Sequence, residues 1–244
     1  MLEKIVAFTL VLAAATGPVV AQENSSSTAD ALYRLEERLS AANSLGFDGK
    51  LEEARRDLLA VAMEADAIAA IQEADPRHLG LASAMAGSAL FYTAQNHDPE
   101  WGDDAGQALE IEWLTAALAR LQTAHAALGQ DFTNDYEYRG VAGQLWQHGH
   151  RLGDSRWSAW SAARVEANRL RLAAQPDSTF ETNMLAEALY DHGWLSGDKA
   201  LLAQADTLVA SLAEEDIDYG VARKQSAVAQ GEAPYDPPGN QGAR

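Results

Sequence analysis

The chain has 244 residues, 47% of them hydrophobic and 22% charged, so it is long and apolar enough to bury one sizeable core, which excludes general disorder. It contains no cysteine, which excludes a disulfide framework, a cysteine nucleophile and a lipid-modified cysteine. Its formal net charge is −18, and such a surface repels phosphate backbones and anionic headgroups. We therefore expect no nucleic-acid binding, whereas the acidity itself serves either solubility or recognition of a basic partner.

Residues 1–21 have the features of a secretory signal peptide. An apolar run over residues 5–15 is followed by small residues that end at Ala21, the predicted cleavage site. Gly17 and Pro18 interrupt the apolar run well short of the roughly 20 residues that a membrane span needs. We therefore predict an exported chain without a membrane span after cleavage, and the lack of cysteine favours the bacterial periplasm.

The mature chain divides into three parts by composition. Residues 22–29 are a polar leader, which we interpret as a flexible spacer. Residues 30–216 form eight segments in which apolar residues recur every three or four positions, as in amphipathic helices. Residues 217–244 lose this pattern and become proline-rich, which predicts a disordered tail. No segment alternates like a strand, so we expect no sheet.

The turn signals between the eight segments group them into four hairpins. Those within the hairpins are Gly46 to Gly49, residues 96–104, Gly153-Asp154 and Gly197-Asp198, and those between hairpins are Asp75-Pro76, residues 129–135 and Pro176. The segment at 145–154 returns 44 residues later at 189–198, with leucine, an aromatic residue, His-Gly and Gly-Asp in the same order. This recurrence indicates a repeated supersecondary unit.

The repeated unit resembles the tetratricopeptide-repeat (TPR) family. The resemblance rests on an aromatic and a small residue late in the first helix (Trp146 and Gly149; Tyr190 and Gly193), the Gly-Asp turn and an alanine-rich second helix. It implies an all-α fold of antiparallel helical hairpins stacked as a short TPR-like α-solenoid. It also implies the usual role of that family, a scaffold that binds another protein.

The histidines are the first candidates for a metal site. His148 and His150 are two positions apart and would point in different directions from one helix, so they do not form a chelating pair. His148 and His192 hold equivalent repeat positions, where we expect each imidazole to pack beside a turn and bond to a carbonyl or carboxylate. The alternative is a divalent-metal site in which both meet Glu187 or Asp191. The sequence has no Glu-x-x-His or His-Glu-x-x-His motif, and we predict no cofactor and no metal.

The tryptophans and tyrosines of the third and fourth hairpins are candidates for a binding groove. At helical spacing such residues usually pack in a core, but a concave groove with Arg139 or Arg164 orienting a polar group is the alternative. The candidate groove residues are Tyr138, Trp146, His148, Arg164, Tyr190, His192 and Trp194.

The sequence leaves three functional hypotheses. The first is an exported, non-enzymatic scaffold or adaptor that binds a protein or peptide in a periplasmic or envelope assembly, since no catalytic motif is present. The second is a domain that binds a small ligand or metal, including an enzyme, through the third and fourth hairpins. The third makes the tail from Gly220 onward the functional part, a peptide docked by a partner, with the helical body as its carrier.

Overall fold

The computed structural model describes residues 18–71, 75–97 and 104–235, and within them every regular element is helical. The nine α-helices of these ranges are α1 (Pro18–Phe47), α2 (Leu51–Ile71), α3 (Pro76–Gln95), α4 (Asp104–Leu128), α5 (Asp135–Leu152), α6 (Trp157–Ala174), α7 (Thr179–Ser196), α8 (Lys199–Ala210) and α9 (Tyr219–Ala229). Each of α2 to α8 packs on the helices before and after it, except that α8 packs mainly on α7. This all-α, solenoid-like arrangement confirms the predicted fold class. In the described ranges no helix has the length and apolar character needed to cross a membrane.

The alanine- and glycine-rich helix α3 is largely buried. A Cβ at Gly87 would lie 2.7 Å from Leu121 Cγ, and one at Gly80 would lie 2.4 Å from Leu128 Cγ. Only glycine therefore allows α4 to approach this closely at these two levels. These two glycines of α3 therefore allow the close distance between the two helices of the second hairpin.

The apolar interior consists of two clusters. The larger one joins α1 to α6 and includes the buried side chains of Val61, Leu114 and Leu145. The smaller one joins α6 to α9 and includes Leu189 and Val221. The two clusters share α6, so the third and fourth hairpins are held together at that helix.

The repeated Gly-Asp turns end α5 and α7 in the same way. Gly153 and Gly197 adopt left-handed backbone conformations, with φ of 67° and 71°, which a side chain would disfavour. Asp198 then accepts hydrogen bonds from two N–H groups in the first turn of α8. Asp154 likewise accepts from the backbone N–H of Arg156, which precedes α6.

The glycines of the two His-Gly pairs allow the paired helices to touch. A Cβ at Gly149 would lie 2.7 Å from Trp157 Cβ and 2.8 Å from Trp160 Cε3. At Gly193 the nearest atom would be Leu202 Cδ2, at 2.9 Å. The repeated glycines therefore have a structural role at the closed end of each hairpin.

The polar leader differs from its prediction. Residues 18–29 belong to α1, so the part of the leader that was interpreted as a flexible spacer is helical. The reason is that neither proline nor glycine occurs between Val19 and Leu45, so nothing in this segment stops the helix from extending toward its N-terminus. Residues 1–17 of the predicted signal peptide lie outside the described residues, and residues 18–21 belong to α1.

The tail also differs from its prediction of disorder over residues 217–244. It contains α9, and residues up to Tyr235 pack on the helical body, whereas 236–244 lie outside the described residues. The sequence pattern missed α9 because the helix is held by one buried apolar side chain, Val221, and by a buried lysine, Lys224. A charged side chain buried through ion pairing leaves no apolar periodicity in the sequence.

Candidate functional site

A cavity of about 630 Å³ opens between the third hairpin, the fourth hairpin and the C-terminal segment. Helices α5, α6, α7 and α9 each contribute side chains, and Tyr235 adds one from beyond α9. The lining residues are Arg139, Gly143, Trp146, Gln147, His148, His150, Arg151, Arg164, Asn168, Met184, Glu187, Asp191, Arg223, Lys224 and Tyr235.

Helix α5 forms one wall because of its polar stripe. Arg139, Gly143, Gln147 and Arg151 follow one another at intervals of four, so they lie on one helical face. The apolar positions of the same helix, such as Leu145, point into the larger core. The amphipathic pattern of α5 therefore directs its polar stripe toward the cavity.

A buried ion network holds α6, α7 and α9 together at the cavity. Asp191 is 1% exposed, and its two carboxylate oxygens accept from Arg164 Nη1 at 2.7 Å and from Lys224 Nζ at 2.6 Å. Glu187 lies 3.2 Å from Arg164 and 3.6 Å from Lys224. Burial alone would lower the pKa of Arg164, but the two carboxylates outweigh it and raise this pKa. Each charge of this network is therefore compensated within it.

A second ion network lies beside the cavity and includes Arg139, one of the lining residues. Glu181 is 2% exposed and accepts from Arg139 at 2.7 Å and from Arg171 at 3.0 Å. Arg171 also contacts Asp135, at 2.7 Å. Ser178 Oγ caps α7 by accepting from the N–H of Glu181, whereas the Glu181 carboxylate joins α5 and α6 to α7.

Two cations of the lining remain without a carboxylate partner in the described ranges. Arg151 donates to Gln107 Oε1 and to His148 Nδ1, each at 3.0 Å, and both acceptors are neutral. Because His148 Nδ1 accepts, its Nε2 carries the proton and donates to Glu110 at 3.1 Å. Arg223 is exposed and forms no hydrogen bond or ion pair within the part of the chain that the structure describes. The accessible charge of the cavity is therefore positive, in a protein of net charge −18.

An aromatic cluster closes one side of the cavity. Trp146 stacks on Trp157 with 5.2 Å between ring centroids, and Tyr235 meets Trp146 edge-on at 5.7 Å. Tyr235 also lies 5.4 Å from His150, and the carbonyl before it, at Pro234, accepts from Lys224 Nζ at 3.2 Å. Burial raises the pKa of Tyr235. The segment after α9 is thus fixed by an aromatic side chain and a backbone carbonyl.

One buried polar atom of the lining has no partner among the described residues. Asn168 is 0% exposed, and its Nδ2 donates to the carbonyl of Arg164 at 2.8 Å. Its Oδ1 accepts from no described group. A buried acceptor left without a donor costs about 1–3 kcal/mol. The lining therefore contains one buried acceptor without a described donor.

Three of the seven predicted groove residues line this cavity, namely Trp146, His148 and Arg164. Two others, Tyr138 and Tyr190, are core residues. Tyr138 is 2% exposed and packs against Phe132, with 6.3 Å between ring centroids.

The second of these core residues is Tyr190, which is 0% exposed and donates to Asp206 at 2.6 Å. His192 hydrogen-bonds Ser161 Oγ at 2.6 Å, and Trp194 lies outside the lining. The structure therefore places His192 and Trp194 away from the cavity that contains their predicted partners.

The metal alternative fails on the same geometry. His148 faces Glu110 whereas His192 faces Ser161, so the two imidazoles do not meet with Glu187 or Asp191. Over the described ranges no group of three or more His, Asp or Glu side chains could hold a metal ion. Equivalent positions in the repeat therefore have different partners.

Sequence reasoning missed the contribution of α9 and of the residues after it. Arg223, Lys224 and Tyr235 fell in the segment predicted to be disordered, so they were not candidates. Arg151 had a usable signal, because it continues the polar stripe of α5. Asn168 had none, since a lone asparagine in an alanine-rich helix does not indicate a cavity.

Comparison with known proteins adds no relative, because no protein-family model, curated protein or solved structure matches this chain. The functional argument therefore rests on the cavity and its surroundings. Membership in the TPR family stays a prediction from the repeated turn.

Proposed function

We propose that the protein is an exported, TPR-like helical repeat protein that binds a small ligand in the cavity between α5, α6, α7 and α9. The observation that carries this proposal is the cavity itself, whose 630 Å³ falls within the range of about 300–1,000 Å³ typical of small-molecule sites. Its lining combines the aromatic rings of Trp146 and Tyr235 with charged side chains, and placed polar groups of this kind can fix the orientation of a ligand.

The rigidity of the cavity supports the proposal. Asp191 fixes Arg164 and Lys224, and Glu181 fixes Arg139, so three of the lining cations are held in place before any ligand arrives. Binding to a site that is already ordered avoids the entropy loss of ordering its side chains.

Gly143 provides a direct test, because a Cβ built on it meets no atom within 4 Å. Gly143→Leu would place an apolar side chain in the cavity from the wall of α5, and its Cβ would displace no neighbour. We would screen a chemically mixed compound library by thermal shift against the wild type and this variant. Ala119→Leu is the matched control, since Ala119 is an exposed residue of α4 and does not line the cavity.

Compounds that raise the melting temperature of the wild type and of Ala119→Leu, but not of Gly143→Leu, are the expected result. The proposal is wrong if no compound class shifts the wild type. It is also wrong if Gly143→Leu responds to the same compounds as the wild type while remaining folded by circular dichroism.

An exposed aromatic patch supports a second function, the scaffold or adaptor role. Tyr136, Phe180 and Tyr219 are 57%, 58% and 82% exposed, and the Arg139 guanidinium lies 5.8 Å and 5.6 Å from the first two rings. A neighbouring cavity of about 540 Å³ is lined by Phe180 and Tyr219. Aromatic residues and arginine are enriched in protein interfaces. The patch thus supports docking of an envelope protein or peptide beside the ligand cavity.

Crosslinking of the mature protein in envelope extract tests this second function. Phe180→Ser should abolish capture of a specific partner, whereas Phe47→Ser should not, since Phe47 is an aromatic residue outside the patch that is even more exposed, at 86%, and lies at the C-terminal end of α1. Equal capture by both variants would contradict a role for the patch.

Export to the periplasm is the third part of the proposal, supported by the apolar run and small residues before Ala21. N-terminal sequencing of the protein from a periplasmic fraction should begin at Gln22. A mature chain that retains Met1 in the cytoplasmic fraction would contradict export.

A further inference from the structure

We propose that the ligand of the cavity is a small anion that also carries a hydroxyl or amine group. Arg151 and Arg223 bind the anionic group, and Asn168 Oδ1 accepts from the hydroxyl or amine. This inference rests on the proposed ligand-binding function and names the chemical class of its ligand.

The charge of the lining carries the first step. Five Lys or Arg side chains and two Asp or Glu side chains line the cavity, in a chain with twice as many acidic as basic residues. Asp191 pairs with two cations through both of its carboxylate oxygens, and Glu187 contacts the same two cations through Oε1, so the charges of both carboxylates are already compensated. The cavity therefore favours anions and disfavours cations.

Arg223 and Arg151 carry the second step. In the described ranges neither forms an ion pair with a carboxylate, although acidic residues such as Asp218 and Glu232 precede and follow α9. Guanidinium groups present several N–H donors in a plane that matches a carboxylate or a phosphate. Two such groups on different helices can bind one anion without losing an existing ion pair.

Asn168 carries the third step and is independent of the charge. Its side chain is fully buried and lines the cavity, its amide nitrogen is committed to the carbonyl of Arg164, and its Oδ1 lacks a donor within the described structure. The orientation of the amide is set by that carbonyl, which can only accept. The free position is therefore an acceptor, and a ligand completes it with an O–H or N–H group.

The positive charge of the lining and the Asn168 acceptor predict two requirements for the ligand, an anionic group and a hydroxyl or amine. Compounds that lack one of these groups test each requirement separately. Malate carries two carboxylates and a hydroxyl, succinate lacks the hydroxyl, and malamide keeps the hydroxyl but lacks the charge. Glucose 6-phosphate and glucose form the corresponding phosphate pair. Titration calorimetry with the purified mature chain measures the affinity for each compound.

We expect malate or glucose 6-phosphate to bind, and succinate, malamide and glucose to bind at least about tenfold more weakly, as expected for loss of a charge-assisted or buried hydrogen bond. Binding of malate alone identifies a carboxylate ligand, and binding of glucose 6-phosphate alone identifies a phosphate ligand. Equal affinities for a charged compound and its neutral counterpart overturn the inference, as does binding of none of the five compounds.

Variants tie this selectivity to the named residues. Arg223→Gln should weaken anion binding about tenfold or more, and it should leave the fold intact because Arg223 has no described partner. Arg34→Gln is the matched control, since Arg34 is an exposed residue of α1 outside the cavity. Unchanged affinity in Arg223→Gln would overturn the assignment.

The two proposals fail in different ways. If the mixed library yields neutral or cationic ligands that Gly143→Leu abolishes, the cavity binds small molecules but the anionic class is wrong. If no library compound binds either, the ligand-binding function itself is wrong.

Discussion

The third and fourth hairpins carry the same turn but present different surfaces. Both first helices end at a left-handed glycine, Gly153 or Gly197, and both turns place an aspartate that accepts from backbone N–H groups of the following turn. Outside the turn the two helices diverge. The repeat therefore accounts for the hairpin geometry and not for the cavity.

The divergence is clearest at the position before each histidine. Asp191 is buried and pairs with Arg164 and Lys224, whereas its counterpart in α5, Gln147, is exposed at the cavity. The residue directly before the His-Gly pair lines the cavity in both copies. The aspartate at this position joins the buried ion network, whereas the glutamine does not. The repeated turn fixes the backbone and leaves such positions free to differ.

The largest expected difference between the copies follows from this position. Asp191→Ala leaves two buried cations with Glu187 as their remaining carboxylate, and breaking a buried pair in this way costs about 3–5 kcal/mol. Gln147→Ala should change the free energy of unfolding by less than about 0.5 kcal/mol, as for other exposed sites. Urea unfolding of both variants measures the comparison.

Asp191→Asn serves as the intermediate variant, because it keeps the shape and removes the charge. Its loss of stability should fall between those of Asp191→Ala and Gln147→Ala. Equal stability of Asp191→Ala and the wild type would show that Glu187 alone satisfies Arg164 and Lys224.

The next largest effect separates the two close-approach glycines. In Gly149→Ala the new Cβ meets Trp157 and Trp160, whose bulky side chains must move, so we expect a cost of about 2 kcal/mol. In Gly193→Ala the nearest atom is the flexible end of Leu202, and the higher helix propensity of alanine offsets much of a smaller cost. Thermal unfolding should therefore show a clearly lower melting temperature for Gly149→Ala than for Gly193→Ala. A reversed order would contradict the packing at the two hairpin ends.

The smaller prediction concerns the turn glycines, where the two copies should behave alike. A Cβ at Gly153 or Gly197 meets no atom within 4 Å, so alanine acts only through the left-handed backbone. We expect each substitution to cost about 1–2 kcal/mol and the two costs to agree within about 0.5 kcal/mol. Chemical denaturation measures both, and unequal costs would show that the turns are not energetically equivalent.

The sequence predicts those elements that have a periodic pattern of apolar residues or a recognisable turn motif. The eight helices of residues 30–216 follow from apolar spacing, and the hairpin ends follow from Gly153 and Gly197. The site was only partly predictable, because Trp146 and Arg164 lie in the recognised helices whereas Lys224 belongs to a helix held by charge. Buried ion pairs depend on which distant residues meet, and one sequence does not reveal that.

The smallest expected effect concerns His192, one of the two histidines at equivalent repeat positions. Burial lowers the pKa of His192 below its ordinary value of 6.5; the Asp198 carboxylate acts in the opposite direction, and the charge of Arg169 adds to the lowering. The folded chain therefore takes up this proton at a lower pH than the unfolded chain.

The sign of the pH dependence follows directly. The stabilising contribution of neutral His192 is fully present above pH 6.5 and is lost as the pH falls below that value toward the lowered pKa of the folded chain. His192→Gln, which cannot titrate, should flatten the fall in unfolding free energy over this interval. Urea unfolding at a series of pH values measures the slope, with His125→Gln as the control, since that ring packs on Phe132 in a different hairpin. A slope that His192→Gln leaves unchanged would mean that other groups carry the acid sensitivity.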